Sequence, residues 1–133
     1  MTKRVLDVGN CGPDFASIKG FLTSRFDCEV AQAHGSDDAL AELRKADFAL
    51  VLVNRKLDRD YSDGIEIVKQ IKADAELSGV PVMLVTNYAE HQDAAVAIGA
   101  ERGFGKLELG SVETLERLKP FLTEAPQEPR SNG

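Results

Sequence analysis

The chain has 133 residues, of which 43% are hydrophobic and 29% charged, and this composition fits one soluble globular domain with a single core. Its formal net charge of -6 disfavours a general binder of nucleic acid or of anionic membranes, because phosphates would repel it. The longest apolar run, FALVLV, is too short to span a bilayer, and no signal peptide is recognisable, so we expect a cytoplasmic protein.

Short apolar runs typical of strands alternate with segments in which apolar residues recur every three or four positions. In chain order the predicted elements are a strand at RVLDVG, a helix from Pro13, a strand at CEVAQA, a helix capped by Ser36, a strand at FALVLVN, a helix after Gly64, a strand at VPVMLVT, an alanine-rich helix ending near Gly99, a weaker strand at RGFGK, and a helix capped by Ser111. The C-terminal segment EAPQEPRSNG is polar and rich in proline.

This alternation predicts right-handed βαβ units and hence a doubly wound α/β domain, with a five-stranded parallel sheet covered by helices on both faces. We expect that domain to occupy residues 1–124, and residues 125–133 to form a disordered tail or a truncated linker. In open α/β sheets the ligand site lies at the carboxyl ends of the strands. That rule directs attention to VGNCGPD, VNRKLDRD, VTNYAE and GKLEL.

Four segments, in this order and spacing, resemble the receiver domain of bacterial response regulators, which has the CheY-like, flavodoxin-like fold. KRVLDVGNCGPD resembles the first strand and acidic loop of that family, and FALVLVNRKLDRDYSDG resembles its phosphoacceptor strand. VPVMLVTNYAE is similar to the strand that bears the switch hydroxyl, and IGAERGFGK to the fifth strand with its lysine. The resemblance covers residues 3–124 and implies two-component, or phosphorelay, signalling.

The resemblance also implies a site, of which this chain keeps one half. Thr86 matches the switch hydroxyl and Lys106 the phosphate-binding lysine, but Asn54 stands at the phosphoacceptor position. Gly9 and Asn10 replace the acidic pair that, with the phosphoacceptor aspartate, would hold Mg²⁺. An amide is a poor nucleophile and carries no charge for a divalent cation. We therefore expect no aspartyl phosphorylation and no Mg²⁺ binding, which would make the chain a pseudo-receiver.

Two further departures affect the switch. The family usually has proline after the lysine, whereas Leu107 follows Lys106 in this chain. The aromatic residue of the fifth strand usually lies three residues before the lysine; here that position is Gly103, and Phe104 follows one place later.

The altered pocket is expected to be locally positive, because Lys106 loses its carboxylate partners and Lys56 borders the site. It could accept an anion, an acidic side chain or an internal carboxylate. Asp7 is the internal candidate: it lies on the same strand face as Gly9, and we hypothesise that Lys106 reaches into the room left by Gly9 to pair with it.

The function we predict is a regulatory, non-enzymatic module that binds a signalling kinase, an output protein or a second copy of itself as a homodimer, through residues 88–124. One alternative is a receiver still switched by phosphate at another residue or by an anion in the altered pocket. A small flavodoxin-like enzyme or cofactor carrier is the third reading, although no nucleophile–base pair or cofactor loop is visible.

Overall fold

A computed structural model describes residues 2–123, so Met1, Glu124 and the predicted tail at 125–133 lie outside the described residues. The strands are β1 Lys3–Val8, β2 Cys28–Ala33, β3 Leu50–Asn54 and β4 Val82–Val85. The helices are α1 Gly12–Arg25, α2 Ser36–Lys45, α3 Ile65–Ala73, α4 Ala89–Ala97 and α5 Val112–Leu122, with a 3₁₀ turn at Lys106–Glu108. Within residues 2–123, none of the helices combines the length and the apolar character that crossing a membrane requires.

The four strands form a parallel sheet in the order β2-β1-β3-β4. The chain therefore winds outward from β1 in two directions, and the carboxyl ends of β1 and β3 meet where the winding reverses. In the register of this central pair, Val5 lies opposite Leu50 and Val8 opposite Val53. All four residues are fully buried, which is expected for central strands covered on both faces.

Two hydrophobic clusters lie on opposite faces of the sheet. Residues of α1 and α5, among them Ile18, Leu22 and Leu118, pack on one face, and residues of α2, α3 and α4 pack on the other. The prediction of a doubly wound α/β domain with helices on both faces is thereby confirmed.

The predicted fifth strand is wrong, since the sheet formed by residues 2–123 has four strands and the RGFGK segment is not one of them. Residues 101–104 do run beside β4, where Glu101 and Met83 form an isolated parallel bridge. The backbone N–H of Thr86 then donates to the carbonyl of Phe104 at 3.1 Å. A regular parallel ladder would place this bond two residues after Glu101 rather than three. One extra residue is thus inserted, as in a β-bulge, and the ladder is interrupted.

A buried glutamine from α4 fills the interruption. The side-chain amide of Gln92 donates to Leu84 O at 2.9 Å and accepts from the N–H of Gly103 at 2.8 Å. Arg117 donates to the carbonyl of Gly103 at 2.9 Å. A Cβ at Gly103 would lie 2.4 Å from Leu84 O, so only glycine permits this close approach. Side chains of Gln92 and Arg117 therefore satisfy the backbone hydrogen-bonding groups of Gly103, in the segment that was predicted to be a strand.

The predicted helix boundaries agree closely with the structure. Ser111 is the N-cap of α5, and its hydroxyl accepts from Thr114 N at 3.1 Å. Ser36, predicted as a cap, is instead the first residue of α2, where Asp38 accepts from the backbone of His34 and Gly35. The N-cap is therefore Gly35, and the carboxylate of Asp38 accepts from its N–H and from that of the residue before it, as the N3 side chain of a capping box does.

Candidate functional site

A cleft of about 220 Å³ lies at the carboxyl ends of β3 and β4. Four residues singled out from the sequence line it, namely Asn54, Lys56, Thr86 and Lys106. Arg55 contributes a further cation to its lining. Residues far apart in the chain therefore converge on one cleft at the strand ends, where the strand-end rule placed the candidate site.

Asn54 ends β3 and makes hydrogen bonds to two neighbouring loops. Its Nδ2 donates to the backbone carbonyl of Lys56 at 2.6 Å and, more weakly, to that of Gly9 at 3.4 Å. The carbonyl of Gly9 also accepts a hydrogen bond from Asp58 N at 2.9 Å. The amide thus connects the loop after β1 with the loop after β3, through donors that an aspartate would lack.

Asp7 and Asn10 form a buried pair close enough to Lys106 for Asp7 to feel the charge of that lysine. Both residues are fully inaccessible to solvent, and Nδ2 of Asn10 donates to Oδ1 of Asp7 at 2.5 Å. Burial raises the pKa of Asp7 from 3.8 to about 6, although the Asn10 hydrogen bond and the nearby charge of Lys106 act in the opposite direction. Oδ2 of Asp7 and Oδ1 of Asn10 have no hydrogen-bond partner among the described residues.

The hypothesis that Lys106 pairs with Asp7 is wrong. Nζ of Lys106 lies 2.7 Å from Oδ2 of Asp14, in the first turn of α1, and this contact holds the pKa of the Asp14 carboxyl below its usual range. Leu57 occupies the room beside Gly9, because a Cβ built there would lie 2.3 Å from Leu57 Cδ2. The counter-charge of Lys106 is therefore Asp14 and not the predicted Asp7.

The switch positions are held by local contacts. Thr86 is nearly buried, and its hydroxyl accepts from Tyr88 N at 3.2 Å. Phe104 lies in the core at 1% exposure, so the one-residue displacement of the aromatic is absorbed by the bulge at Gly103. Leu107, in place of proline, is 86% exposed, and its N–H donates to Oδ1 of Asn87 at 3.1 Å.

Two cations at the cleft have carboxylate partners and the third has none among residues 2–123. Lys56 pairs with Asp63 at 2.8 Å and thereby lowers the pKa of that carboxyl. Lys106 pairs with Asp14, as described above. Arg55 makes no ion pair within the described range, and its guanidinium lies 5.9 Å from the ring centre of Tyr88. Of the cations that would make the pocket positive, only Arg55 thus lacks a carboxylate partner among the described residues.

The sequence interpretation missed three residues that shape this region. Asp14 lay within the inspected loop VGNCGPD, so its proximity to the site was foreseeable although its pairing was not. Arg55 directly follows Asn54 and could have been noted as a third cation. Gln92 gave no signal, because a glutamine within an alanine-rich helix looks like an ordinary exposed residue.

Comparison with known proteins identifies the family. A model of the response regulator receiver domain matches residues 15–104, which is more than half of the chain. The fold is similar to that of a response regulator from Chloroflexus aurantiacus, with a TM-score of 0.79 at 18% identity and coverage of 93% of this chain and 100% of that one.

Two other solved structures are similar over nearly their whole length. They are the chemotaxis response regulator CheY4 of Vibrio cholerae, with a TM-score of 0.70, 22% identity and coverage of 89% and 99%, and the Mn²⁺-bound form of response regulator Rcp1, with a TM-score of 0.70, 18% identity and coverage of 92% and 99%. Receiver domains are modules of two-component signalling, and by its sequence match and its fold this chain belongs to the response regulator receiver domain family.

Proposed function

We propose that this receiver domain is a protein-interaction module that works without aspartyl phosphorylation. The observation that carries the proposal is Asn54 at the end of β3, where its amide donates to the carbonyls of Lys56 and Gly9. An amide oxygen is a poor nucleophile, so no acyl phosphate forms at this position. Through its amide protons, Asn54 also connects the loop after β1 with the loop after β3.

The donors at this site do not fit Mg²⁺, which requires hard oxygen ligands and usually carboxylate charge. The backbone carbonyls of Lys56 and Gly9 already accept the amide protons of Asn54. Asn10 directs its Nδ2 toward Asp7, and Gly9 has no side chain to offer. The carboxylate of Asp14 is engaged by Lys106. The proposed function therefore includes no step that passes through a metal ion.

The proposed contact surface for a kinase, an output protein or a second copy of the chain extends over residues 88–124 as far as the structure describes them. Several large apolar side chains are exposed on it, namely Tyr88, Val96, Leu107 and Val112. Single exposed apolar residues are ordinary, but four within this short part of the chain support a contact role. Hydrogen bonds from Gln92 connect α4 to the end of β4, which supports a contact surface with a single conformation.

Phosphoryl transfer to the protein tests this proposal directly. The wild type and Asn54→Asp are incubated with Mg²⁺ and acetyl phosphate or beryllofluoride, beside a phosphorylatable receiver as positive control, and followed by intact mass and amide NMR. We expect neither protein to be labelled, because restoring one carboxylate leaves Gly9 and Asn10 without charge. Efficient labelling of Asn54→Asp would contradict the reading of the pocket.

A switch that uses phosphate at another residue, or a free anion, is the second candidate. The three cations that line the cleft, Arg55, Lys56 and Lys106, favour it over an enzymatic role. Stoichiometric labelling of the wild type, or large spectral changes caused by inorganic phosphate alone, would select this candidate over a phosphate-independent module.

A further inference from the structure

The charge balance of the cleft defines the ligand that it can hold. Of its three cations, Lys56 lies 2.8 Å from Asp63 and Lys106 lies 2.7 Å from Asp14. Arg55 has no carboxylate within ion-pair distance among residues 2–123, although Asp63 is near enough to feel its charge. Of the three cations that line the cleft, Arg55 is therefore the one without an ion-pair partner among the described residues. One charge matches a single carboxylate, whereas a phosphate dianion would require a lysine to leave its own partner.

Arg55 is placed to be reached from outside. It is half-buried and lines both the 220 Å³ cleft and a second cavity of about 200 Å³, which Asp63, Ile65 and His91 also line. Its guanidinium lies near the ring of Tyr88, which orders the side chain without using its N–H donors. A planar guanidinium with free donors binds a carboxylate through two parallel hydrogen bonds.

The rim of the cleft is apolar on one side. Tyr88 is 56% exposed, and Leu107 is 86% exposed beside the lysine that lines the cleft. The N–H of Leu107 donates to Asn87 Oδ1, so this leucine is held near the loop that carries Tyr88. An acidic side chain with apolar neighbours is complementary to this combination of one free cation and two exposed apolar groups.

We propose that Arg55 anchors an aspartate or glutamate side chain of a protein partner, in a segment with apolar residues on either side of the acid. This inference rests on the proposed function, because it names the chemistry of the partner that the module recognises. Tyr88 and Leu107 contact the apolar neighbours, while Lys56 and Lys106 keep their internal partners. The anchor lies beside the position of Asn54, so partner binding and the altered strand end share one cleft.

The test is an amide NMR titration of the full chain with the blocked peptide acetyl-Leu-Glu-Leu-amide. Its matched control is acetyl-Leu-Gln-Leu-amide, which has the same shape without the charge. We expect the glutamate peptide to shift the amides of Arg55, Asn87, Tyr88 and Leu107, and the glutamine peptide to bind about tenfold more weakly, as expected for loss of one charge-assisted pair. Equal binding of the two peptides would overturn the proposal.

Two variants locate the charge. Arg55→Gln should weaken binding of the glutamate peptide about tenfold, whereas Arg59→Gln, which removes an exposed arginine outside the cleft lining, should leave it unchanged. Undiminished binding by Arg55→Gln would overturn the assignment, as would tighter binding of inorganic phosphate than of the peptide. These outcomes are independent of labelling by acetyl phosphate, so failure of the anchor and failure of the proposed function can be told apart.

Discussion

The buried carboxylate of Asp7 should make the stability of this domain depend on pH in an unusual direction. Burial raises its pKa from 3.8 to about 6, so the folded protein holds this proton more tightly than the unfolded chain does. The contribution of Asp7 to stability is therefore most favourable below the unfolded pKa and is lost as the pH rises through 6. Above that pH the folded protein contains a buried charge, one oxygen of which has no hydrogen-bond partner within residues 2–123.

The substitution Asp7→Asn removes this charge and keeps the shape. The pKa difference of about 2.2 units, at 1.36 kcal/mol per unit, corresponds to about 3 kcal/mol at pH values well above 6. The new amide retains an oxygen to accept from Asn10 Nδ2, so the hydrogen bond between the two side chains is kept. We therefore expect the variant to be more stable than the wild type by up to about 3 kcal/mol near pH 8.

Urea unfolding followed by circular dichroism from about pH 4 to pH 8 measures this difference. The advantage of the variant should shrink as the pH falls through 6 and should no longer change below about pH 4. The exposed Asp47→Asn is the control, with an expected change within about 0.5 kcal/mol at every pH. A difference for Asp7→Asn that does not vary with pH would refute the reasoning, as would a variant less stable than the wild type near pH 8.

Two further substitutions test the contacts around the site. Gln92→Leu should lower the free energy of unfolding in urea by about 3 kcal/mol, because the backbone N–H of Gly103 and two carbonyls lose a buried partner. The exposed Gln70→Leu is the control and should change it by less than about 0.5 kcal/mol. Equal effects of the two substitutions would show that Gln92 does not bridge α4 and the sheet. For the pair Asp14 and Lys106, a double-mutant cycle with Asp14→Asn and Lys106→Met should give a coupling of at most about 1 kcal/mol that declines with salt, because both side chains are about one-third exposed or more. A salt-independent coupling well above that value would show that the pair is shielded from solvent.

Local patterns were sufficient to predict the central strands and to bring the candidate residues to one cleft at their carboxyl ends. FALVLVN is apolar on both faces and delivers Asn54 to the strand end, so the fold rule applied to it without further information. The absence of the fifth strand could not be predicted, because the interruption of the ladder involves Gln92, which lies eleven residues before Gly103 in the chain. RGFGK has the composition of a strand, and only the side chain inserted from α4 decides against one.

The partners inside the site were also beyond the reach of local patterns. Lys106 and Asp14 are 92 residues apart, and nothing in either neighbourhood specifies the other. The Asp7 hypothesis failed for a steric reason: Gly9 has a φ of +84° and lies against Leu57, so the space that its missing side chain leaves is filled by that leucine. A glycine in a sequence shows where a side chain is absent, but only the fold shows what takes its place.

These contacts support one account of how the domain works. Where a phosphorylated receiver would hold an exchangeable cation and phosphoryl group, Asn54 connects two loops by hydrogen bonds that need no ligand. On the neighbouring strand, Gln92 attaches α4 to the sheet, and Phe104 is already buried in the core. A ligand shifts a conformational equilibrium only by its differential affinity for the two states. These internal hydrogen bonds form without a ligand, so a partner that binds at Arg55 would cause little rearrangement. This favours recognition of a preformed surface over a phosphate-driven switch.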